Sequence, residues 1–544
     1  MSDRLVGPAG SPAGSPAGSP AGSPAPQPPA ASRDGQRSGA EAVRDRVARH
    51  LAVQVDGEGA LKDRCAGRII ESALLLLLLR KERALPRAQK ELQDYLQRAR
   101  PKGTLERVLA DALLGRPCDA NDVLDIGRSR HGTGARKRLL LETILGLCGL
   151  LPDGTRPDPR SIGPRPQAVW TELTLCAATI LHAHTNWGAG HPGSPDDTTH
   201  QQELLEHQNL LVRRLAAFPA GRVWEGNALA HLVALHALHT YRPGSELMRE
   251  GIEALVRLRG PDGGVPFIDG QEVFVTALAG VALAPAPGHA HLVSRMGEYI
   301  ASRQHADGGW GYNETTTQTD VDDTARCVEL MRTLDETRFR HGIEGGEAYL
   351  RARANEGGGF PTYLRGHPWD LDMTAGAVIA LPWSRHEDLL RPAADVLIGA
   401  QHEDGSFEPG WSLSVPSVIL RVLDALSRIP ASEEALRRRA DECTAGATAF
   451  LEQARGSDGG WGHSPGKDSD VLSTAQAMCT LVRHAPGTDL AKPLAYLEDR
   501  QHADGGFTSV PDQAGPRPLP FDFPVLADVH VLTALNRLVA SGAA

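Results

Sequence analysis

Three aspartates, Asp320, Asp322 and Asp323, crowd into GYNETTTQTDVDDTARCVELM directly ahead of an apolar helical run. One acid there is an ordinary helix start, since a carboxylate caps free N–H groups and suits the dipole. The chain repeats that habit at DLDMTA (Asp370 to Ala375) and DSDVLSTA (Asp468 to Ala475). Capping does not explain the triplet. Ionising three neighbouring carboxyls together is costly, so at least one is expected to keep its proton near neutrality. A carboxylic acid held neutral by burial and like charge is what general-acid chemistry needs.

The elements that must position this acid are helices. AVRDRVARHLAVQV, TELTLCAATILHAHT, NALAHLVALHALHTY and EVFVTALAGVALAPA place apolar residues at intervals of three and four. Gly/Pro/Asp clusters punctuate them, and no sustained two-residue alternation occurs. In the later half a helix repeatedly runs from Gln into Asp-Gly-Gly-aromatic. QHADGGW (Gln304 to Trp310), QHEDGSF (Gln401 to Phe407) and QHADGGF (Gln501 to Phe507) are full copies. QARGSDGGW (Gln453 to Trp461) carries an insertion, and PDGGV and NEGGGF are degenerate copies. The glycines permit left-handed turns after a helix, the aromatic packs back over the turn, and the Gln can satisfy neighbouring backbone. Such repeats identify architecture more than chemistry: helix pairs stacked into a closed double ring.

Composition excludes several functions. With a net charge of -10, the 544-residue chain lacks the basic excess of a nucleic-acid binder. Seven scattered cysteines without a CxxC pair predict neither a disulfide framework nor a structural zinc site, and suit a cytoplasmic protein. No signal segment opens the sequence. The greasiest run, Ala73 to Leu79, is far short of the ~20 residues a membrane span needs. Residues 1–40, with GSPA repeated from Gly10 to Ala25, are expected to be disordered.

The Gln-x-x-Asp-Gly-Gly-Trp repeats, with Asp-Val-Asp-Asp-Thr-Ala thirteen residues beyond Asp307, resemble the class II terpene cyclases. That family includes squalene-hopene cyclases and bacterial copalyl and drimenyl diphosphate synthases. By motif the resemblance runs from about Arg257 to the C-terminus. It implies an all-α fold of two (α/α) double-ring helical barrel domains, the βγ architecture. The catalytic barrel would comprise residues 41–56 plus 290–544, with 57–289 an inserted helical barrel. It also implies that Asp322 gives a proton to the terminal alkene of a linear prenyl substrate, with Asp320 and Asp323 orienting and tuning it. The family lines its cavity with aromatics that stabilise cations without trapping them. RPLPFDFPVLADVHV resembles the family's aromatic C-terminal segment, so Phe521 and Phe523 are candidates, with Trp369 and Trp411 behind them.

The ordered length matches the family's bacterial prenyl diphosphate cyclases, which leave the diphosphate intact. A copalyl-type product from geranylgeranyl diphosphate is the first expectation, with drimenyl diphosphate from farnesyl diphosphate close behind. Such a substrate calls for cations at the cavity mouth, and Lys467, at the repeat position just before the triplet's, is a candidate. It also implies Mg²⁺. Asp196, Asp197 and Glu203 in SPDDTTHQQE offer hard oxygen ligands, although a polar loop opening a helix is the plainer reading. DDTTH lacks the last acid of an Asp-Asp-x-x-Asp cluster, so ionisation of the diphosphate is not expected. The alternatives are a squalene or polyprene cyclase, a zinc prenyltransferase-like ring using Cys327 and His341, and a non-catalytic helical scaffold. No partner beyond a small-molecule substrate is implied, and the oligomeric state is open.

Overall fold

The computed structural model of the chain describes residues 33–118, 134–151, 162, 167–187, 197–517 and 519–542. Helix α1 (Arg33–Ala52) opens inside the segment expected to be disordered. A helix anchored by packing extends at low cost once nucleated, and here Val43, Val47 and Leu51 are the buried anchor. The chain then passes into an inserted unit of eight described helices: α2 (Ile69–Lys81), α3 (Pro86–Arg98), α4 (Thr104–Leu113), α5 (Gly134–Leu147), α6 (Val169–Trp187), α7 (Asp197–Ala216), α8 (Ala228–His239) and α9 (Glu246–Leu258). Helix α2, with IIESALLLLLL apolar on every side, is a core helix as its sequence requires. No described helix is long and apolar enough to cross a membrane.

The remainder builds the ring. Inner helices α10 (Glu272–Leu283), α12 (Val321–Leu334), α14 (Leu371–Ala380), α16 (Val415–Leu426), α18 (Val471–His484) and α20 (Val525–Ser541) each pack on the next, and α20 closes onto α10. Outer helices α11 (Ala290–Ser302), α13 (Arg340–Arg353), α15 (Trp383–Gly399), α17 (Glu434–Ala454) and α19 (Ala491–Glu498) alternate with them, and α1 completes the outer ring against α20.

The repeat motifs are the joints of this ring. Gln304 Nε2 donates to the Gly308 carbonyl of its own turn and to Gly342 of the next outer helix, both at 2.9 Å. Gln401 does the same with Gly405 and Cys443, and Gln501 with Gly505 and Val43. Gln501 thus fastens the last repeat to the first helix. Gly308, at φ +84, lies so close to the Gly345 carbonyl that any Cβ would collide with it at 2.5 Å. Trp310, fully buried, donates from Nε1 to the Ile300 carbonyl at 2.7 Å.

Two hydrophobic cores divide the chain, one drawn from 40–65 plus 268–538 and one from 69–265. Helix α10 packs within the ring core, between α12 and α20. The chain's two crossings pair with each other as antiparallel β1 (Gly67–Arg68) and β2 (Val265–Pro266). Helical periodicity looks the same on either side of such a crossing, so the sequence pattern does not mark it.

Candidate active site

The acidic triplet opens α12, and its backbone is fixed on three sides. Asp320 bridges to Trp310, its N–H reaching the Trp310 carbonyl at 3.0 Å, and its carboxylate caps the helix by accepting the Asp323 N–H at 2.9 Å. Asp370 and Asp470 cap α14 and α18 in the same way. The loop just before the triplet is held by the inserted unit. Buried Glu225, at an unusual φ of +51, accepts the Thr316 hydroxyl at 2.9 Å and the Thr317 N–H at 2.5 Å. Tyr312 donates its hydroxyl to the Glu225 carbonyl, and Gln318 accepts the Val169 N–H opening α6.

The three acids then separate in role. Asp320 and Asp323 are buried against each other, 5% and 3% exposed. Burial is the first cause raising both carboxyls: Asp320 is pushed up to about 6, while the Asp320 charge pushes Asp323 higher still. Burial and the neighbouring Asp320 charge thus favour the neutral form of the Asp323 carboxyl. Asp322 points the other way. Of the three, it alone lines an internal cavity of about 140 Å³, with its side chain 21% exposed and its Oδ1 3.3 Å from Arg326 Nε. That cavity gathers the first turns of the inner helices: Phe274, Asp322, Asp372, Leu472 and Leu526, roofed by Trp411.

Trp411 also lines a second, larger cavity of about 340 Å³ between the ring and the inserted unit. Its backbone N–H donates to Asp372 (3.2 Å), its indole N–H to Thr362 (3.2 Å), and its ring lies beneath Arg517 (5.4 Å). An aromatic wall runs away from it across the domain junction. Tyr363 meets Trp411 edge-on at 6.4 Å and Trp170 at 4.8 Å, and Trp170 meets Tyr312 at 6.2 Å. The outer cavity carries cations: Arg136, Lys137 and Arg517, with His367 beside them. Burial, followed by the charge of Arg517, brings Lys137 down to about 8. Arg517 is anchored to Asp370 at 2.5 Å. The two cavities thus meet at Trp411: the inner one holds Asp322 among further acids and arginines, and the outer one holds the aromatic wall with Arg136, Lys137 and Arg517.

The expected residues are distributed unevenly over these cavities. Trp411 lines both, and Trp369, 44% exposed, lines the outer one. Phe521 and Phe523 are buried core residues, packed on Phe267 and on each other at 5.1 and 6.1 Å. Neither lines these two cavities. Lys467 is exposed in the 464–467 turn and is not a lining residue. Asp196 lies outside the described residues, Asp197 opens α7, and Glu203 is half-buried on α7 and absent from both linings. No group of three or more His, Cys, Asp or Glu among the described residues could hold a metal ion. Cys327 is buried and His341 is exposed on an outer helix, which separates the pair proposed for zinc.

Sequence reasoning missed Trp170, Tyr363, Arg136, Lys137 and Arg517. One signal was present: GARKRLLLE puts three cations in the first turn of a helix, where the dipole disfavours them. A misplaced charge of that kind calls for an anionic partner.

No known family profile matches the chain. It is 39% identical to a drimenyl diphosphate synthase of Streptomyces showdoensis, over 92% of this chain and 94% of that one. It is 37% identical to a drimenyl diphosphate synthase of Streptantibioticus cattleyicolor, over 92% and 95%. Among solved structures it resembles the ent-copalyl diphosphate synthase of Streptomyces platensis, with a TM-score of 0.55 and 16% identity over 94% of this chain and all of that one. At that identity the last likeness concerns the fold.

Proposed function

The chain belongs to the class II terpene cyclases, in the family of the drimenyl diphosphate synthases, and on that premise we propose that it converts farnesyl diphosphate to drimenyl diphosphate. The observation that carries this reading is the position of Asp322: the one acid of the triplet lining a cavity, with Trp411 between that cavity and a larger one lined by Arg136, Lys137 and Arg517. The relatives' names, drimenyl diphosphate synthases, favour fifteen carbons over twenty, reversing the order expected from sequence.

In this reading the diphosphate rests among Arg136, Lys137 and Arg517, where charge-assisted hydrogen bonds are strongest. The terminal alkene then meets Asp322. The acid O–H breaks, a C–H bond forms, and a tertiary cation is left at the neighbouring carbon. Two internal alkenes attack in turn to close two rings, passing the charge along Trp411 and Tyr363, whose π faces stabilise a cation without bonding to it. Loss of a proton from a carbon beside the final cation ends the sequence, so substrate and product are isomers. The diphosphate leaves unbroken, consistent with the lack of an Asp-Asp-x-x-Asp cluster. Mg²⁺ would act here as a counter-ion that enters on the diphosphate. A cytoplasmic location suits the free cysteines.

The test is incubation of wild type and Asp322→Asn with farnesyl and geranylgeranyl diphosphate plus Mg²⁺, then phosphatase treatment and mass spectrometry. A bicyclic C15 alcohol from wild type alone is expected, with the variant down at least ~10³-fold, the upper range for a general acid. Bicyclic product from the C20 substrate only would overturn the chain length. Equal turnover by the variant would remove Asp322 from the mechanism. An EDTA arm, with loss of turnover expected, tests the metal.

A further inference from the structure

Past the first turns of the inner helices, the bore of the ring is closed by charge. One turn beyond Asp322 and its neighbours stand Arg326, Arg421 and His530, and two or more turns beyond stand Glu329, Asp424 and Arg537. Most of these are partnered. Arg537 is bound to Asp424 at 2.5 Å, and Arg326 to Asp322 at 3.3 Å. Arg421 is different. Its Nη1 lies 3.5 Å from Glu329, but Nε and Nη2 hydrogen-bond to nothing among the described residues, although the residue is only 7% exposed. Leaving a buried guanidinium short of partners is costly. A fold that retains one has a use for it.

The direction of the free donors is fixed by Gly376 on α14. A Cβ there would lie 3.2 Å from Arg421 Nη2 and 3.8 Å from Asp322 Oδ1. The two groups therefore converge on one notch in α14 and are no more than about 7 Å apart. Glycine keeps the notch open.

We propose that Arg421 is a positioning residue for the proton transfer, its free donors set for the carboxylate that Asp322 becomes once its proton has passed to the alkene. The proposal rests on the cyclase reading. When the O–H bond breaks, the electron pair stays on the Asp322 oxygen, and the positive charge moves to the tertiary carbon. A donor unsatisfied before that step and satisfied after it favours the transition state over the ground state. Arg326 is already engaged from Asp322's own helix, and other elements do not duplicate the charge. Asp372 from α14, Asp424 from α16, Glu329 from α12 and Asp512 from the 511–514 segment are acids, and Arg537 is taken by Asp424. His530 on α20 is neutral, since burial takes it down to about 4.

Two measurements separate this proposal from the reading beneath it. The first is steady-state turnover of farnesyl diphosphate from pH 5 to 9 by wild type, Arg421→Lys and Arg421→Gln. The Gln variant should lose about 10²-fold in kcat with KM little changed, as for loss of one preorganised donor. The Lys variant should recover part of that loss, and millimolar guanidinium should partly rescue Gln but not wild type. The pH above which activity fails should move upward in the Gln variant. The second is substrate-free: a double-mutant cycle in melting temperature with Asp322→Asn, Arg421→Gln and both, at pH 8. Non-additivity of about 1–2 °C is expected for a coupled pair in a protein of this size. Additive melting shifts would overturn the pairing even if wild type turned over neither prenyl diphosphate, an outcome that would separately sink the cyclase reading. A Gln variant with near wild-type kcat, or equal collapse of Lys and Gln with no rescue, would overturn the role of Arg421.

Discussion

Asp372 stands on α14 where Asp322 stands on α12: two residues past a capping aspartate, on adjacent inner helices, with both side chains lining one cavity. Their surroundings differ. Asp322 faces Arg326, whereas Asp372 is pushed up to about 7, first by burial and then by Asp370 and Asp322. Of the two acids that the repeat supplies, Asp322 is the one ion-paired with an arginine of its own helix. Asp372→Asn, which keeps the acceptor for the Trp411 N–H, should cost no more than about tenfold in kcat, far less than the loss expected from Asp322→Asn. Equal losses would mean that the two carboxyls act as one unit.

The cationic mouth predicts a division between KM and kcat. Lys137→Met removes a half-buried charge without leaving an acid unpaired, unlike Arg517→Met, which strands Asp370. A roughly tenfold rise in KM with kcat within about threefold is expected, corresponding to about 1.4 kcal/mol of ground-state binding. The effect should shrink at high salt. An unchanged KM would move the diphosphate elsewhere.

Trp411 joins the two cavities, so its replacement should alter what is made as well as how fast. Trp411→Phe keeps a π face and should give the same bicyclic product. Trp411→Ala opens the junction of the two cavities and removes a cation–π contribution of about 0.5–2 kcal/mol. Gas chromatography of the dephosphorylated products should then reveal acyclic, monocyclic or hydroxylated alcohols. A clean bicyclic product from the Ala variant would deny Trp411 a part in guiding the cation.

Glu225 holds the loop that leads into the acid. Glu225→Ala leaves the Thr316 and Thr317 donors buried without their acceptor, at a cost of about 2–4 kcal/mol. The melting temperature should fall by a few degrees and kcat more steeply, because α12 loses its fixed entry. Calorimetry and turnover measured together check this: activity unchanged despite the lower melting temperature would confine Glu225 to stability.

Acid content also sets a pH dependence of stability. Burial pushes Asp528 up to about 7, and Asp269 likewise. A carboxyl raised in the folded state binds its proton there and not in the unfolded chain at pH 4–7. Its contribution is full below about pH 4 and is lost as pH rises to 7. The protein should melt higher at pH 5 than at pH 8. Asp528→Asn, which lines neither cavity and is still able to accept the Phe507 N–H, should narrow that difference by about 2–4 °C. A difference as wide as in wild type would exclude Asp528 as a contributor.

The sequence by itself determined the ring and singled out its acidic triplet. Gln-x-x-Asp-Gly-Gly-aromatic carries the turn, the packing aromatic and the tie to the next helix in a few contiguous residues, so local chemistry was enough to predict stacked helix pairs. The crowding of Asp320, Asp322 and Asp323 likewise showed that a proton must be retained. Which carboxyl retains it, and which faces the substrate, was a tertiary matter: one turn of helix sends Asp322 into the cavity and Asp323 against Asp320. The outer cavity was hidden for the same reason. Arg136, Trp170, Tyr363, Trp411 and Arg517 lie hundreds of residues apart at the extremes and meet only where the inserted unit folds onto the ring. Phe521 and Phe523 read as aromatics of the acid's cavity, yet neither lines it: Phe521 lines another cavity of about 300 Å³, and Phe523 packs edge-on against it. An aromatic buried by its neighbours and one lining a cavity have the same local sequence, and only the closed fold decides which wall a side chain joins.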